Sequence, residues 1–331
     1  MEDKANGMYK ARNIRGFCHL SNGQEAANVG LIDSISSRDV ICDSYRMHGI
    51  AFLRGKYVRS ILGELCGRSS GSSRGKGGSM NFYSKDNLYG GYGIVGSQVP
   101  IATGVAFAMK YREDNHISYP DANDERRIAI GMYGDGAANQ GQIYESFNMA
   151  KFWNLPMLFL CENNLYGMGT SVERASADAR FYMRCHYIPG LRVNGQDLVS
   201  VLCGTRFAAD YVRSGQGPFL LEYYTYRFLG HSMSDPGLSY RTRDEIKEMR
   251  KTNDPIELFA EKVLGANLCS DKEIDGIKRE VEEEVDLAAE QALGDPFPER
   301  KELHEHIYVK YLGDSKIIRG RDCNETYNIE Q

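Results

Sequence analysis

An aspartate flanked by two glycines is the first residue whose type and setting suggest chemistry. Asp135 lies in the stretch YGDGAANQGQIYES, directly after a short apolar run. Two amides, Asn163 and Asn164, follow the next apolar run, PMLFLC. Carboxylate and amide oxygens suit Mg²⁺ or Ca²⁺, and glycines let backbone amides approach an anion. The pattern is that of a metal-bound diphosphate, although a tight turn capped by aspartate would explain GDG alone.

Both polar positions are expected to follow buried strands. Residues 128–133 (IAIGMY) and 156–164 (PMLFLCENN) are predicted strands, and the segment 142–153 between them has apolar residues at helical spacing. A strand, a helix and a second strand in this order give a parallel pair with a right-handed crossover. Because ligands bind beyond the carboxyl ends of parallel strands, Asp135 and Asn164 are expected to face one cleft.

The flanking sequence predicts the rest of this sheet domain. A helix is predicted over 104–111 and a further strand over 217–226, and the polar residues 112–127 are predicted to form a surface excursion. We therefore expect an α/β fold over residues 1–243, with an open, mainly parallel sheet flanked by helices.

The C-terminal part of the sequence is helical and charged. Asp254 followed by Pro255 is a helix cap with a first-turn proline, and Ser270 followed by Glu273 is a capping box. We expect residues 244–331 to form a helical segment that packs on the same domain or on a partner.

A second unusual stretch, GRSSGSSRGKGGS at residues 67–79, contains only Gly, Ser, Arg and Lys. It cannot bury a core and is predicted to be a loop. Its spacing and final residue differ from the nucleotide-binding P-loop pattern. Two interpretations stay open: a flexible connector, or a loop whose amides or basic groups meet a phosphate.

Composition narrows the class of protein. With 331 residues, 42% hydrophobic and 26% charged, the chain has the make-up of an ordinary globular protein. A net charge of -5 argues against nucleic acid or an anionic membrane as the main partner. The 8 cysteines never form C-x-x-C, which excludes a zinc ribbon or a redox pair of that type. The first residues, MEDKANGMYK, resemble neither a signal peptide nor a transit peptide.

Several separate motifs together resemble one known family. The spacing from GDG to NN is that of the thiamine diphosphate-binding motif, and it is accompanied by RGFCHLSNGQEA, CENNLYGMGTSVERA and YRFLGHSMSDPGLSYR. The chain thus resembles the α subunits of the first, decarboxylating component of pyruvate dehydrogenase complexes, which are thiamine-diphosphate-dependent 2-oxo acid dehydrogenases. The likeness extends from about residue 15 to about residue 310, and it implies the thiamine diphosphate-binding fold.

The resemblance implies a set of site residues. Those that would hold Mg²⁺ are Asp135, the side chain of Asn164 and the carbonyl of Tyr166. Those that would meet the cofactor are Gly136, Ala137, Tyr45 and Arg46 at the diphosphate, Gly93 and Val95 at the aminopyrimidine, and His231 near the reacting centre. His19 would contact substrate, and His48 could touch the site. Met47 and Asn81 depart from the family pattern and leave local loop geometry open.

The implied reaction is oxidative decarboxylation of pyruvate with transfer of the acetyl unit to a lipoyl group of the next component. The glutamate that activates the cofactor would come from a β subunit, giving an α2β2 heterotetramer. Further partners would be the lipoyl domain of the acetyltransferase component, and a kinase and phosphatase acting on Ser232, Ser239 or Ser171. The location implied is the mitochondrial matrix; since no transit peptide is visible, the cytoplasm is the alternative.

Three other functions remain to be weighed. A branched-chain 2-oxo acid or acetoin dehydrogenase α subunit would keep the same metal and diphosphate residues, but AANQGQ and GHSMSDPG favour pyruvate. A non-catalytic assembly subunit would have no need of Asp135, Asn164 and His231. A nicotinamide-binding enzyme is disfavoured because no G-x-G-x-x-G follows an early strand.

Overall fold

The computed structural model describes residues 1–119, 126–303, 316–318 and 326–328. The helices are α1 (Glu2–Lys10), α2 (Glu25–Ile32), α3 (His48–Leu53), α4 (Val58–Leu65), α5 (Gln98–Asp114), α6 (Gly141–Phe152), α7 (Val172–Ala175), α8 (Leu198–Arg213), α9 (Arg243–Asn253), α10 (Pro255–Gly265) and α11 (Asp271–Gly294). The strands are β1 (Val40–Ser44), β2 (Leu88–Tyr92), β3 (Ala129–Gly134), β4 (Met157–Asn163), β5 (Tyr166–Gly167), β6 (Thr170–Ser171), β7 (Gly190–Asn194), β8 (Phe219–Tyr224), β9 (Lys316–Ile318) and β10 (Thr326–Asn328).

The main sheet is six-stranded, with the order β2-β1-β3-β4-β8-β7, and every neighbouring pair in it is parallel. In register, Tyr133 of β3 lies beside Cys161 of β4, and Gly134 lies beside Glu162. All residues of β4 are buried, as expected for a strand covered on both faces. The predicted α/β fold with an open parallel sheet is confirmed.

Helices cover both faces of this sheet. One core lies between the sheet and α5 with α6, and includes Val99, Phe147 and Phe159. The other lies under α2, α4, α8 and α11, and includes Ile130 and Leu160. Alternate residues of β3 and β4 enter opposite cores, which explains why apolar residues follow one another without a break in these strands.

The predicted elements around the central unit are confirmed, with differences in their ends: the strand predicted over 217–226 spans Phe219–Tyr224. The predicted helix over 104–111 begins earlier, at Gln98, in spite of Pro100. A proline in the first turn costs no helical hydrogen bond, because the first amides of a helix have no partner within it. The predicted excursion over 112–127 overlaps the end of α5, and residues 120–125 lie outside the described part.

The helix caps of the C-terminal segment are also confirmed. The Asp254 carboxylate accepts from the amide of Ile256 at 3.0 Å, and Ser270 and Glu273 form the reciprocal box at the start of α11. Val285 and Ala289 of α11 belong to the core that includes α4. The division of the chain at 243/244 stays a prediction.

The glycine-rich loop, residues 67–79, wraps around one carboxylate. Glu64 at the end of α4 is fully buried, and its Oε2 accepts from the amides of Ser73 at 2.8 Å and Gly75 at 2.9 Å. Its Oε1 accepts from Gly77 at 2.6 Å and Gly78 at 3.1 Å. These four amides thus bind an anion that belongs to the chain itself. The flexible connector and the phosphate-binding loop both stay predictions.

Candidate active site

A cavity of about 250 Å³ lies at the carboxyl ends of β1, β3 and β4. Between β1 and β3 the chain changes the direction in which it adds strands, which is where open α/β sheets bind ligands. The sequence-predicted residues that line it are Tyr45, Arg46, Val95, Asp135, Gly136, Ala137, Asn164, Tyr166 and His231. The fold therefore brings together residues as far apart in the chain as Tyr45 and His231, which are 186 positions apart.

The oxygen atoms predicted to hold metal lie on two adjoining segments. Asp135 is 3% exposed, and its Oδ1 accepts from the amide of Asn164 at 3.3 Å. Burial, the largest cause, raises the pKa of Asp135 to about 6, whereas nearby Arg227 lowers it. A hard cation at this point would compensate the cost of keeping the carboxylate ionised.

Bare backbone forms the wall next to these oxygens. A Cβ added to Gly136 would lie 3.1 Å from the Cα of Gly167, so neither position has room for a side chain without a shift. Such a cradle leaves amides accessible to a phosphate. Among the described residues, no three His, Cys, Asp or Glu side chains group as a metal site, so a cation here would need amide and carbonyl oxygens as well. The donor set fits Mg²⁺ with a diphosphate.

Arg227 is a site residue that the sequence analysis missed. It is fully buried, and its Nη1 donates to Asn164 Oδ1 at 2.9 Å and to the carbonyl of Tyr166 at 3.2 Å. Its Nη2 donates to the carbonyl of Met168 at 3.0 Å. Its position shortly after β8, at the carboxyl edge of the sheet, was the available signal.

The segment that Arg227 holds has an unusual backbone. Leu165 and Met168, on either side of Tyr166, have φ angles of 75° and 56°. Non-glycine residues rarely adopt this left-handed region. The orientation of the Tyr166 carbonyl therefore depends on a backbone conformation that is unfavourable for Leu165 and Met168.

Arg46 joins two distant parts of the cavity wall. Its Nη1 donates to the carbonyl of Leu20 at 2.6 Å and its Nη2 to the carbonyl of His231 at 2.8 Å. The residue is 7% exposed and lines the cavity. Its guanidinium thus brings a fixed positive charge to the predicted diphosphate position.

Two histidines face each other beside Tyr45. The ring centroids of His19 and His231 are 5.1 Å apart, and His19 lies 4.3 Å from the ring of Tyr45. Burial, followed by repulsion from Arg46, lowers the pKa of His19 to about 3 and that of His231 to about 4. Both imidazoles are therefore neutral near pH 7. Within the described residues, the buried His19 Nδ1 has no hydrogen-bond partner.

A wider cavity of about 640 Å³ opens from this histidine pair. Of the sequence-predicted residues, those that line it are His19, Tyr45, Gly93, Val95, His231, Ser232 and Ser239. Gly93 is thus at the mouth, and His48 and Ser171 line neither cavity. The structure therefore separates Ser171 from the other two candidate phosphorylation sites.

The loop that carries His231 is held by its own side chains. Asp235 accepts from the amide of His231 at 2.8 Å and from the hydroxyl of Tyr240 at 2.6 Å. Arg241 donates to the carbonyls of Arg227 at 2.6 Å and Leu229 at 2.7 Å. The backbone that carries His231 is consequently held from both sides.

A second acidic residue, Glu162, lines the inner cavity. Burial, the largest cause, and repulsion from Asp43 raise its pKa to about 8, and burial raises the pKa of Asp43 to about 7. Gln24 donates to Glu162 at 3.3 Å. A proton retained on this side of the cavity reduces the negative charge that an anionic ligand would meet.

Comparison with known proteins gives the family that the sequence motifs resemble, over a range that includes all residues lining the two cavities. The model of the family described as "Dehydrogenase E1 component" matches residues 1–301. The chain is 53% identical over 308 residues to the pyruvate dehydrogenase E1 component subunit alpha, somatic form, mitochondrial, of Homo sapiens, covering 93% of this chain and 76% of that protein. It is 52% identical over 310 residues to the mitochondrial subunit alpha of Sminthopsis macroura, covering 94% and 82%.

Proposed function

This chain belongs to the dehydrogenase E1 component family, and from that membership we propose the α-subunit function of a pyruvate dehydrogenase (acetyl-transferring). The enzyme decarboxylates pyruvate oxidatively and transfers the acetyl unit to a lipoyl group, in dependence on thiamine diphosphate. The observation that carries this proposal is the inner cavity, where carboxylate, amide and carbonyl oxygens adjoin a bare-backbone cradle.

We assign the cofactor and metal residues as follows. Mg²⁺ would be held by Asp135, Asn164 Oδ1 and the carbonyl of Tyr166, and the diphosphate would meet Gly136, Ala137, Tyr45 and Arg46. Gly93 and Val95 would contact the aminopyrimidine through the backbone. When bound, thiamine diphosphate supplies the carbon nucleophile for the 2-oxo group and accepts the electron pair released with carbon dioxide.

Side chains of this chain would bind and orient the substrate and transfer protons. A neutral imidazole donates one hydrogen bond and accepts another, so His19, whose buried Nδ1 is available, suits contact with the substrate oxygens. His231, close to the inner cavity, suits proton transfer near the reacting carbon. Arg46 fixes both by holding the carbonyls of Leu20 and His231.

A β subunit belongs to this function, and we propose an α2β2 heterotetramer with the cofactor at the interface. The only carboxylates among the lining residues of the two cavities are Asp135, Glu162 and Asp235. Asp235 shares the wider cavity with Gly93, but both of its oxygens accept hydrogen bonds from its own loop, so the glutamate needed at the aminopyrimidine would come from the partner. Phe17 and Met168 at the mouth are 64% and 63% exposed, which suits a wall completed by another subunit.

We propose that the acetyl acceptor is the lipoyl domain of the acetyltransferase component. Residues 1–243 would form the cofactor domain, and residues 244–331 would form the helical segment. Both relatives named above are mitochondrial proteins, which favours the mitochondrial matrix for this chain. No helix in the described residues is long and apolar enough to span a membrane.

Substrate choice tests this function. With a β chain present, decarboxylation of pyruvate is expected to be at least about tenfold faster than that of 3-methyl-2-oxobutanoate, since each extra methyl group costs about that much in a fitted pocket. The chain alone is expected to be inactive. Preference for the branched substrate would favour the branched-chain reading, and a stable complex inactive on both would favour an assembly subunit.

The loop serines offer a site of regulation. We propose that Ser232 is a phosphorylation site, because it directly follows His231 and lines the wider cavity, where a phosphate would lie beside the proposed active site. Its Oγ lies 2.9 Å from that of Ser234. Ser239 is exposed at the same mouth, and Ser171 lies on β6, away from both cavities.

A charged replacement at Ser232 is expected to reduce pyruvate decarboxylation by at least about tenfold, because burying an unpaired carboxylate costs more than the free energy of a tenfold change. The matched control is Ser118→Asp, because Ser118 is an exposed serine that lines neither cavity. Equal activity of Ser232→Asp and the unmodified complex would rule out this regulation.

A further inference from the structure

A buried ion pair outside both cavities connects the first helix to the active-site wall. Glu2 of α1 has a side chain 12% exposed, and its Oε2 lies 3.1 Å from Nδ1 of His48, which is fully buried. Its Oε1 accepts from the amide of Ser21 at 3.1 Å and from the Ser21 hydroxyl at 2.9 Å. No residue assigned above to the reaction is part of this pair.

The geometry around His48 favours its protonated state. Nδ1 faces the Glu2 carboxylate, and Nε2 lies 2.9 Å from the carbonyl oxygen and 3.1 Å from the hydroxyl of Ser79. An ionised carboxylate and a carbonyl can only accept hydrogen bonds, whereas a hydroxyl can accept or donate. When Nε2 donates to the carbonyl, its shorter contact, both ring nitrogens carry hydrogen and His48 is an imidazolium.

The groups around His48 agree with this state. Burial lowers the pKa of His48, but Glu2 outweighs burial and the net shift is upward from 6.5. Burial raises the pKa of Glu2, and His48 reverses that to a net shift below 4.5. Asp43, Arg46 and His19 are the other charged or titratable groups that act on this imidazole.

The pair joins three segments that the proposed site needs. His48 begins α3 and follows directly after the turn that carries Tyr45 and Arg46. Ser21 follows the His19 segment, and Leu20 accepts from Arg46. The third segment is the glycine-rich loop, which ends at Ser79 and contacts His48 through the Ser79 carbonyl.

We propose that Glu2 and His48 act as a charged positioning pair, which holds the Tyr45–Arg46 turn and the His19–Ser21 segment at the spacing that binds the diphosphate. The proposal rests on the proposed function, because it names the cofactor as the ligand whose affinity is set. Neither residue is a catalytic residue, since neither touches the cavities; both act through Arg46 and His19.

Binding of thiamine diphosphate with Mg²⁺ to the complex with the β chain tests this pair. In isothermal titration, Glu2→Gln and His48→Gln are each expected to raise Kd by about tenfold or more, because each breaks the ion pair. His48→Gln leaves the Glu2 carboxylate without its cation, and Glu2→Gln leaves burial to lower the pKa of His48, so that the ring loses its charge. The double variant is expected to lose no more than either single one, since it leaves no charge behind. It also serves if a single variant fails to fold.

Asp3→Asn is the matched control. Asp3 lies on the same helix and accepts from Asn22 at 2.9 Å, next to the Ser21 contact, but no histidine is involved. Its Kd is expected to stay within about twofold of the unmodified complex, a change close to the limit of such measurements.

The pH dependence separates positioning from general stability. Since the pair needs His48 protonated and Glu2 ionised, its contribution is complete between the ordinary pKa values of 4.5 and 6.5. It is lost as pH rises through the raised pKa of His48 or falls through the lowered pKa of Glu2. The ratio of Kd between the double variant and the unmodified complex should therefore shrink as pH rises well above 6.5.

Each other outcome has a defined reading. Variants that unfold at lower urea concentration but bind with unchanged Kd would overturn the positioning role and leave a structural pair. An unmodified complex that does not bind the cofactor would overturn the proposed function instead. In that case, the unfolding free energies of the same four proteins would still report whether Glu2 and His48 are coupled.

Discussion

Replacing Asp135 with alanine is expected to abolish measurable binding of thiamine diphosphate and Mg²⁺ to the assembled complex. The loss in affinity should be at least about 100-fold. Removal of a residue that only hydrogen-bonds to a metal ligand already lowers affinity by up to about 100-fold, and Asp135 is predicted to bind the metal itself. The carboxylate is the one charged oxygen donor in the predicted metal set, and an amide and a carbonyl cannot balance a divalent cation alone. Isothermal titration with and without the β chain measures this directly.

The folding of the Asp135→Ala variant is expected to be unimpaired. The burial that raises the pKa of Asp135 to about 6 means that the free chain bears a cost for its charge. Asp178→Ala is the control, since Asp178 is an exposed carboxylate paired with Arg180 at 2.8 Å on the surface. Cofactor binding by Asp135→Ala with unchanged affinity would refute the assignment of the metal site.

Glu64→Gln is expected to loosen the whole glycine-rich loop. Its carboxylate accepts four backbone amides, and an amide side chain would turn a donor group toward two of them. Since each unpaired buried donor costs about 1–3 kcal/mol, two of them should lower the free energy of unfolding by about 2–6 kcal/mol. Urea unfolding followed by circular dichroism measures the change.

Limited digestion with trypsin gives a local reading of the same change. The loop contains Arg68, Arg74 and Lys76, so cleavage there should accelerate when the loop opens. Glu257→Gln is the control, because Glu257 forms an exposed pair with Lys278 and its loss should cost no more than about 1 kcal/mol. Unchanged stability and unchanged cleavage of Glu64→Gln would mean that the carboxylate does not organise the loop.

The central strands and the helix caps could be predicted from the sequence because each depends on residues close together in the chain. The apolar runs that became β3 and β4 are continuous, and the Asp254 cap binds amides two and three residues away. Asp135 and Asn164 could be placed in one cleft because sheet geometry relates the ends of neighbouring parallel strands.

The residues that organise the site could not be predicted in this way. Glu2 and His48 are 46 residues apart, and Arg227 is 63 residues from Asn164. Glu64 lies in a helix and gives no sign that the loop after it will fold around its carboxylate. Such contacts depend on how elements pack, and a single chain carries no local pattern for them.

The left-handed backbone at Leu165 and Met168 means that the protein holds conformational strain at the site before a ligand binds. Such residues cost of the order of 1–3 kcal/mol each, and Arg227 maintains them by its bonds to the carbonyls of Tyr166 and Met168. The free-energy cost of orienting the Tyr166 carbonyl is thus part of folding and does not have to be met when a ligand binds. In this segment, a lower folding stability therefore accompanies a higher ligand affinity.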